Sequence, residues 1–152
     1  MRTVSATDLD ELVKKARLSP RKRAHLLLHK HSDAVLKLVM AMEPGTYAQP
    51  NRHPGKDCQE LYVALRGSFR MLFFDDDGNI TESTVISLVG KHIMAEVPPM
   101  VWHTIYPLEQ GSVTMEIIKG PYDEKIFKEF ASWAPSESDP AREEYCRNFL
   151  TS

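Results

Sequence analysis

From Val39 to Lys119 the chain is written in short apolar runs, each closed by a turn signal. Val39 to Glu43 is followed by Pro44-Gly45, and Leu61 to Leu65 by Gly67. Phe69 to Phe74 is followed by Asp75-Asp76-Asp77-Gly78-Asn79, and Thr84 to Leu88 by Gly90. Ile93 to Val97 runs into Pro98-Pro99, Trp102 to Tyr106 ends before Gly111, and Val113 to Ile118 ends at Gly120-Pro121. Runs of this length, rich in Val, Ile, Phe and Tyr and spaced by turns, predict the strands of an all-β sandwich or barrel.

The two ends read differently. Leu9, Leu12, Val13 and Ala16 recur with helical period, with Thr7 as a candidate cap and Ser19-Pro20 as the stop. Arg23 to His31 is mixed and reads as a strand feeding the barrel, and Asp33 to Leu38 as a short helical turn. After Pro121, Asp123 to Phe130 reads as a helical turn, Trp133-Ala134-Pro135 as a docking segment, and Pro140 to Leu150 as a terminal helix. The expected organisation is one domain over 1–152: a helical arm at 7–18, a barrel core over about 23–120, and a C-terminal arm over 121–152.

Composition adds little to this picture. With 152 residues, 42% of them hydrophobic and 26% charged, the chain suits one globular domain. No stretch approaches the ~20 apolar residues that span a bilayer, and the first residues carry no signal-peptide run, so the expected location is the cytoplasm, without membrane attachment. Cys58 and Cys146 are too few for a disulfide framework and are expected to be thiols, Cys146 on a helix and Cys58 between two candidate ligands.

Charge is unevenly spread. Residues 1–37 hold nine Lys/Arg against four Asp/Glu, whereas residues 121–152 hold four against seven. The basic group Arg17, Arg21, Lys22 and Arg23 suits a solvated face, an anionic ligand, or the acidic tail of the same or a neighbouring chain. No nucleic-acid motif accompanies it, so nucleic acid is not an expected partner.

Candidate chemistry lies in two stretches, Pro50-Asn51-Arg52-His53 … Glu60 and Pro98-Pro99-Met100-Val101-Trp102-His103. Strand side chains alternate faces, so Asn51 and His53 share one. Glu60 starts the next strand and His103 a later one. Imidazole and carboxylate donors converging inside a barrel suit one divalent ion among Fe, Mn, Ni, Zn and Co, and spacing does not choose between them. Each histidine taken alone reads as an ordinary surface or core residue; the joint pattern is what points to a metal. Asp57 is a rival carboxylate to Glu60. The acidic run Asp75-Asp76-Asp77-Gly78 is not a calcium loop: aligning Gly78 on that loop's glycine puts Phe73 and Thr84 where carboxylates are needed. It reads as a hairpin turn.

The stretch Gly45-Thr46-Tyr47-Ala48-Gln49-Pro50-Asn51-Arg52-His53 … Glu60 … Gly67 resembles the first cupin motif, and Pro98 to His103 resembles the second. Ala41 to Tyr47, Glu60 to Gly67, Leu72 to Gly78, Trp102-His103-Thr104 and Gly120 to Asp123 are similar to the WbuC-type cupin metalloproteins. The resemblance implies a cupin double-stranded β-helix, or jelly-roll barrel, with short helical arms and one mononuclear metal held from positions 51, 53, 60 and 103. His53, Glu60 and His103 match the motif in type. Asn51 stands where the motif has His, Met100 where it has Gly, and the spacer between His53 and Glu60 is two residues longer. Such relatives imply a sugar or sugar nucleotide of bacterial surface-polysaccharide metabolism, with isomerase, epimerase or oxygenase chemistry. The alternatives are a non-catalytic, metal-dependent small-molecule binding or sensor module, and a metal-free epimerase-like cupin. A homodimer is expected.

Around the metal, Tyr62 is the favoured ligand-binding donor because it shares a strand face with Glu60. Tyr47, Arg66 and Trp102 are further candidates, as are Met94, Glu96 and Glu116, with Trp102 reading more readily as core. His25, His29 and His31 read as surface residues, with one able to reach the barrel mouth.

Overall fold

The alternation of the middle region becomes two five-stranded antiparallel sheets in the computed structural model, which describes residues 1–151. The strands are β1 (Arg23–Leu27), β2 (Val35–Met42), β3 (Asn51–Arg52), β4 (Glu60–Arg66), β5 (Ser68–Phe74), β6 (Ile80–Ser87), β7 (Met94–Val97), β8 (Trp102–Pro107), β9 (Ser112–Lys119) and β10 (Glu129–Phe130). The first sheet has the order β1-β2-β9-β4-β7 and the second β10-β3-β8-β5-β6. Strands from both halves of the chain interleave in each sheet, so the sheets form the two walls of a jelly roll.

Alternation decides which side chains fill the space between the walls. Met40 and Met42 of β2, Tyr62 and Ala64 of β4, and Phe69, Met71 and Phe73 of β5 point inward with Ile86, Val97 and Ile105. Outward residues are covered by the arms. Helix α1 (Ala6–Leu18) lays Leu12, Val13 and Ala16 over Val39, Ala41 and Val113 of the first sheet. Helix α2 (Arg142–Thr151) and the segment before it lay Ala131, Ala134, Cys146 and Phe149 over Leu72, Phe74 and Tyr106 of the second. The central strands of each sheet thus bury both faces, the inner against the other sheet and the outer against an arm, while β6 and β7 at the edges stay largely exposed.

Several local expectations are corrected. The α1 cap is Ser5, not Thr7: its hydroxyl accepts from the Asp8 amide while the Asp8 carboxylate accepts from the Ser5 amide. Asp33 to Leu38 is not a helical turn, because β2 already begins at Val35, paired with Lys119 of β9. Asp123 to Phe130 contains one turn, closed by the Phe127 amide on the Asp123 carbonyl at 2.8 Å, and then becomes β10, paired with β3. The acidic run is a hairpin turn, as expected. Asp75 Oδ1 accepts from the amides of Asp77 (3.0 Å) and Asn79 (2.8 Å).

Two glycines are fixed by backbone geometry. Gly45 and Gly67 have φ of +86° and +68°, where a side chain is disfavoured. At Gly67 a Cβ would also lie 2.4 Å from Ser112 Oγ. Met100 adopts φ +66° without being glycine. It carries the strain of the tight turn that leads into His103. Among the described residues no helix is long and apolar enough to cross a membrane.

Candidate metal centre

The strand register assembles the site. Asn51 of β3 is the direct antiparallel partner of His103 on β8, so both project from one face of the second sheet. Glu60 opens β4 on the opposite wall, between Val97 and Ile118. His53 follows β3 by one residue. One donor atom from each of His53, Glu60 and His103 lies within 4.8 Å of the others, and the residues are only 3, 1 and 1% exposed.

The tautomers follow from what each ring touches. His53 Nδ1 lies 2.7 Å from the Phe127 carbonyl oxygen and His103 Nδ1 lies 2.9 Å from that of Val101. A carbonyl only accepts, so both Nδ1 atoms carry the proton, and a neutral ring then presents a lone pair at Nε2. These Nε2 atoms point at one carboxylate oxygen, Glu60 Oε2, at 3.2 Å from His53 and 2.9 Å from His103. All three atoms, together with Asn51 Oδ1, are buried without a hydrogen-bond partner. Three acceptors facing one point are unfavourable unless a cation joins them. A single ring proton on Nδ1, held by a backbone carbonyl, is the arrangement that orients metal-binding histidines. The donor set therefore fits a divalent ion.

Burial by itself would raise the Glu60 pKa, but positive charge supplied from the side of His103 and His53 holds it well below the ordinary range; protons on the Nε2 atoms or a cation between the three groups supplies that charge equally. Glu60 Oε1 accepts from the Tyr62 hydroxyl at 2.9 Å. Burial, then the charges of Glu116 and Glu60, push Tyr62 well up, so it remains a neutral donor. Glu116, opposite Tyr62 on β9, is pushed up to about 8, first by burial and then by the Glu60 charge.

A cavity of about 400 Å³ opens beside this group, with Asn51, Tyr62 and Glu116 on its wall together with Met40 and Ile105. His53, Glu60 and His103 are not on that wall; Tyr62, whose hydroxyl donates to Glu60, joins the two, and Asn51 lines the cavity from the strand position paired with His103. Towards solvent the cavity is lined by His25, His29 and His31 from β1 and the loop after it, facing Phe127 and Lys128 of the C-terminal arm. All three histidines belong to the mouth, where one was expected. His25 keeps an exposed edge that tempers the effect, yet burial and then the charges of Arg23, Arg21 and Lys128 lower its pKa.

Other candidates lie elsewhere. Tyr47 is packed outside the second sheet against Tyr145 and Phe149, its hydroxyl on the Pro135 carbonyl at 2.8 Å. Trp102 points outward for the same reason of parity: its neighbour His103 takes the inner face. Its indole donates to Asp76 Oδ1 at 2.9 Å and stacks under Arg52. Arg66 ends β4 at the far end of the barrel and pairs with Asp10 of α1 at 2.8 Å. Met94 and Glu96 lie on β7 as exposed residues, outside the cavity. Asp57 is exposed and pairs with Lys119, which leaves Glu60 as the carboxylate of the group. Cys58 reaches the Lys119 carbonyl rather than the cavity.

Two site residues were not singled out from sequence. Phe127 acts through its backbone carbonyl, which no residue pattern reports. Lys128 follows it and lines the mouth; its charge stands in a region whose net charge is negative.

The two interleaved sheets form the cupin fold, and the buried His-Glu-His group lies inside it. Solved structures with this fold include KdgF from Halomonas sp. (14% identity, TM-score 0.53), covering 72% of this chain and 89% of that one. Oxalate decarboxylase from Bacillus subtilis (18%, 0.55) covers 84% of this chain and 32% of its own. CapF, solved with the inhibitor 3-isopropenyl-tropolone (17%, 0.56), covers 70% and 31%. The chain thus spans about a third of the last two, and at these identities the likeness is one of fold. The chain belongs to the family described as "Domain of unknown function (DUF6016)", whose model matches residues 4–86. That match takes in Asn51, His53 and Glu60 and stops before His103. No curated protein sequence matches the chain.

Proposed function

We propose that this chain is a mononuclear metal-binding cupin that takes a small anionic molecule in the cavity beside the metal. The observation that carries the reading is the convergence of His53 Nε2, His103 Nε2 and Glu60 Oε2, all buried and unpartnered. Asn51 Oδ1 would be a weaker, neutral fourth donor. A divalent ion there would supply Lewis acidity. Around it Tyr62 holds the Glu60 carboxylate in place, and Glu116 keeps a proton at the cavity wall near neutral pH. The mouth is lined by the cations Arg21, Arg23 and Lys128 against one acid, Glu137, which favours an anion.

Resemblance to the WbuC-type proteins supports a sugar or sugar nucleotide as the molecule taken, with isomerase, epimerase or oxygenase chemistry. The oxalate oxidase structures of the same fold, bound to the substrate analogue glycolate, support a small carboxylate. A cytoplasmic homodimer is part of the same proposal. A second reading is metal-dependent binding without catalysis. It is favoured by the triad's position off the cavity wall and by neutral Asn51 at the fourth position.

Thermal shift with glycolate, inorganic phosphate and nucleotide sugars, each with and without chelator, tests the proposal. A ligand shift that disappears with the metal is expected. Ligand shifts indifferent to chelation would contradict the link between cavity and metal.

A further inference from the structure

Glu137 sits in the mouth of the cavity and holds two arginines at once. Arg21 Nε donates to its Oε2 at 2.9 Å and Arg21 Nη2 to its Oε1 at 3.0 Å, while Arg23 Nη2 donates to Oε1. All three residues line the cavity. Arg23 is the fixed member. Its side chain is 6% exposed, and its Nη1 donates to the Tyr47 carbonyl at 2.7 Å and to Thr46 Oγ1 at 3.3 Å. Glu137 is the movable member, with a side chain 30% exposed. Its backbone is secured independently. The Tyr47 hydroxyl donates to the Pro135 carbonyl, Arg142 donates to the Glu137 carbonyl, and the Ala131 amide donates to the Pro50 carbonyl. Rotation of the carboxylate out of the mouth therefore leaves the segment docked.

A guanidinium this buried is costly without an anion beside it. The planar fork that accepts a carboxylate accepts a phosphate equally well. From this we infer that Glu137 is a built-in occupant of an anion subsite formed by Arg21 and Arg23, displaced when the carboxylate or phosphate group of a ligand enters. Lys128 and His25 line the same mouth, while Asn51, Tyr62 and Glu116 line the side nearest the metal triad. A ligand anchored at the arginines by its anionic group thus has its remaining atoms directed along the cavity. The inference rests on the proposal of an anionic ligand and extends it by naming the subsite and its internal competitor.

The test is calorimetric titration of the full chain with glycolate and, separately, inorganic phosphate at fixed ionic strength. Wild type is compared with Glu137→Gln, Arg21→Ala, the double variant, and Glu82→Gln, which removes an exposed acid on β6. Glu137→Gln is expected to bind one or both anions roughly tenfold tighter, because the competitor is gone. Arg21→Ala in that background is expected to cancel the gain, and Glu82→Gln to show none. Preference for glycolate or phosphate identifies the natural anion. Binding to Glu137→Gln that equals or falls below wild type would overturn the inference and leave the anionic ligand standing, with Glu137 only a fastener of the arm. Absence of binding to either protein would overturn both the subsite and the anionic ligand. The metal proposal is unaffected in each case, since it is judged by metal content.

Discussion

His103 Nε2 lies 2.9 Å from Glu60 Oε2 while its other nitrogen is committed to the Val101 carbonyl. Without a cation, a neutral imidazole lone pair would face a carboxylate oxygen, and His53 repeats the conflict from the other side. Glu60→Gln should therefore act in opposite directions in the two states. In metal-free protein the amide donates to an Nε2 acceptor and relieves the repulsion, so the variant should melt at or above wild type, with a gain of about 1 kcal/mol. With metal supplied, it should lose most of the stabilisation that wild type gains. Paired melting curves with chelator and with metal check both signs.

Tyr62 touches the Glu60 oxygen that does not face the histidines. Such outer hydrogen bonds typically contribute about 10–100-fold to metal affinity. Tyr62→Phe should weaken binding by roughly tenfold while the fold is kept, as read by competition against a chromogenic chelator.

Asn51 stands opposite His103 with its Oδ1 unpartnered. Replacing that neutral oxygen by imidazole should strengthen the site: Asn51→His is expected to raise affinity by roughly tenfold, imidazole being the better donor for these metals. Asn51→Ala should lower it by less than His53→Ala does. Equal losses would show that the oxygen is as strong a donor as the imidazole.

Glu116 gives a pH dependence with a definite sign. Its pKa rises from an ordinary value of 4.5 to about 8, first through burial and then through the Glu60 charge. The folded chain therefore binds this proton more tightly than the unfolded chain. Nothing is lost below 4.5; the cost grows as pH rises towards 8, by up to ~1.4 kcal/mol per pH unit, and then levels off. Metal-free Glu116→Gln should be more stable than metal-free wild type at pH 9, with the difference shrinking towards pH 5. Denaturant melts at several pH values measure this.

Parity made much of the barrel legible. Alternating runs predicted β4, β5, β8 and β9 to within a few residues, and period two predicted that Tyr62 follows Glu60 inward. The same rule, applied to His103, places its neighbour Trp102 on the outer face, in the apolar cluster under the C-terminal arm, which agrees with its reading as a core residue and not with its place among the ligand-binding candidates. Tyr47 was misplaced because its strand-like surroundings gave no hint that a C-terminal helix covers that face. His53, Glu60 and His103 were legible through residue type and motif spacing. The ring orientations were not, since they depend on the Phe127 and Val101 carbonyls. The tie between Arg23 and Glu137 spans 114 positions; charge asymmetry suggested an acidic tail as partner for the basic group but not the pairing.

The most direct measurement is elemental analysis of the protein purified without added metal, beside His53→Ala and His103→Ala. One equivalent of a transition metal in wild type, largely lost in each variant, is the predicted result. Chelation of wild type should also lower its melting temperature by several degrees, since a ligand at 100 times its Kd contributes about 2.7 kcal/mol. A wild-type protein that neither carries nor takes up metal, and whose melting is indifferent to both chelator and added ions, would contradict the account.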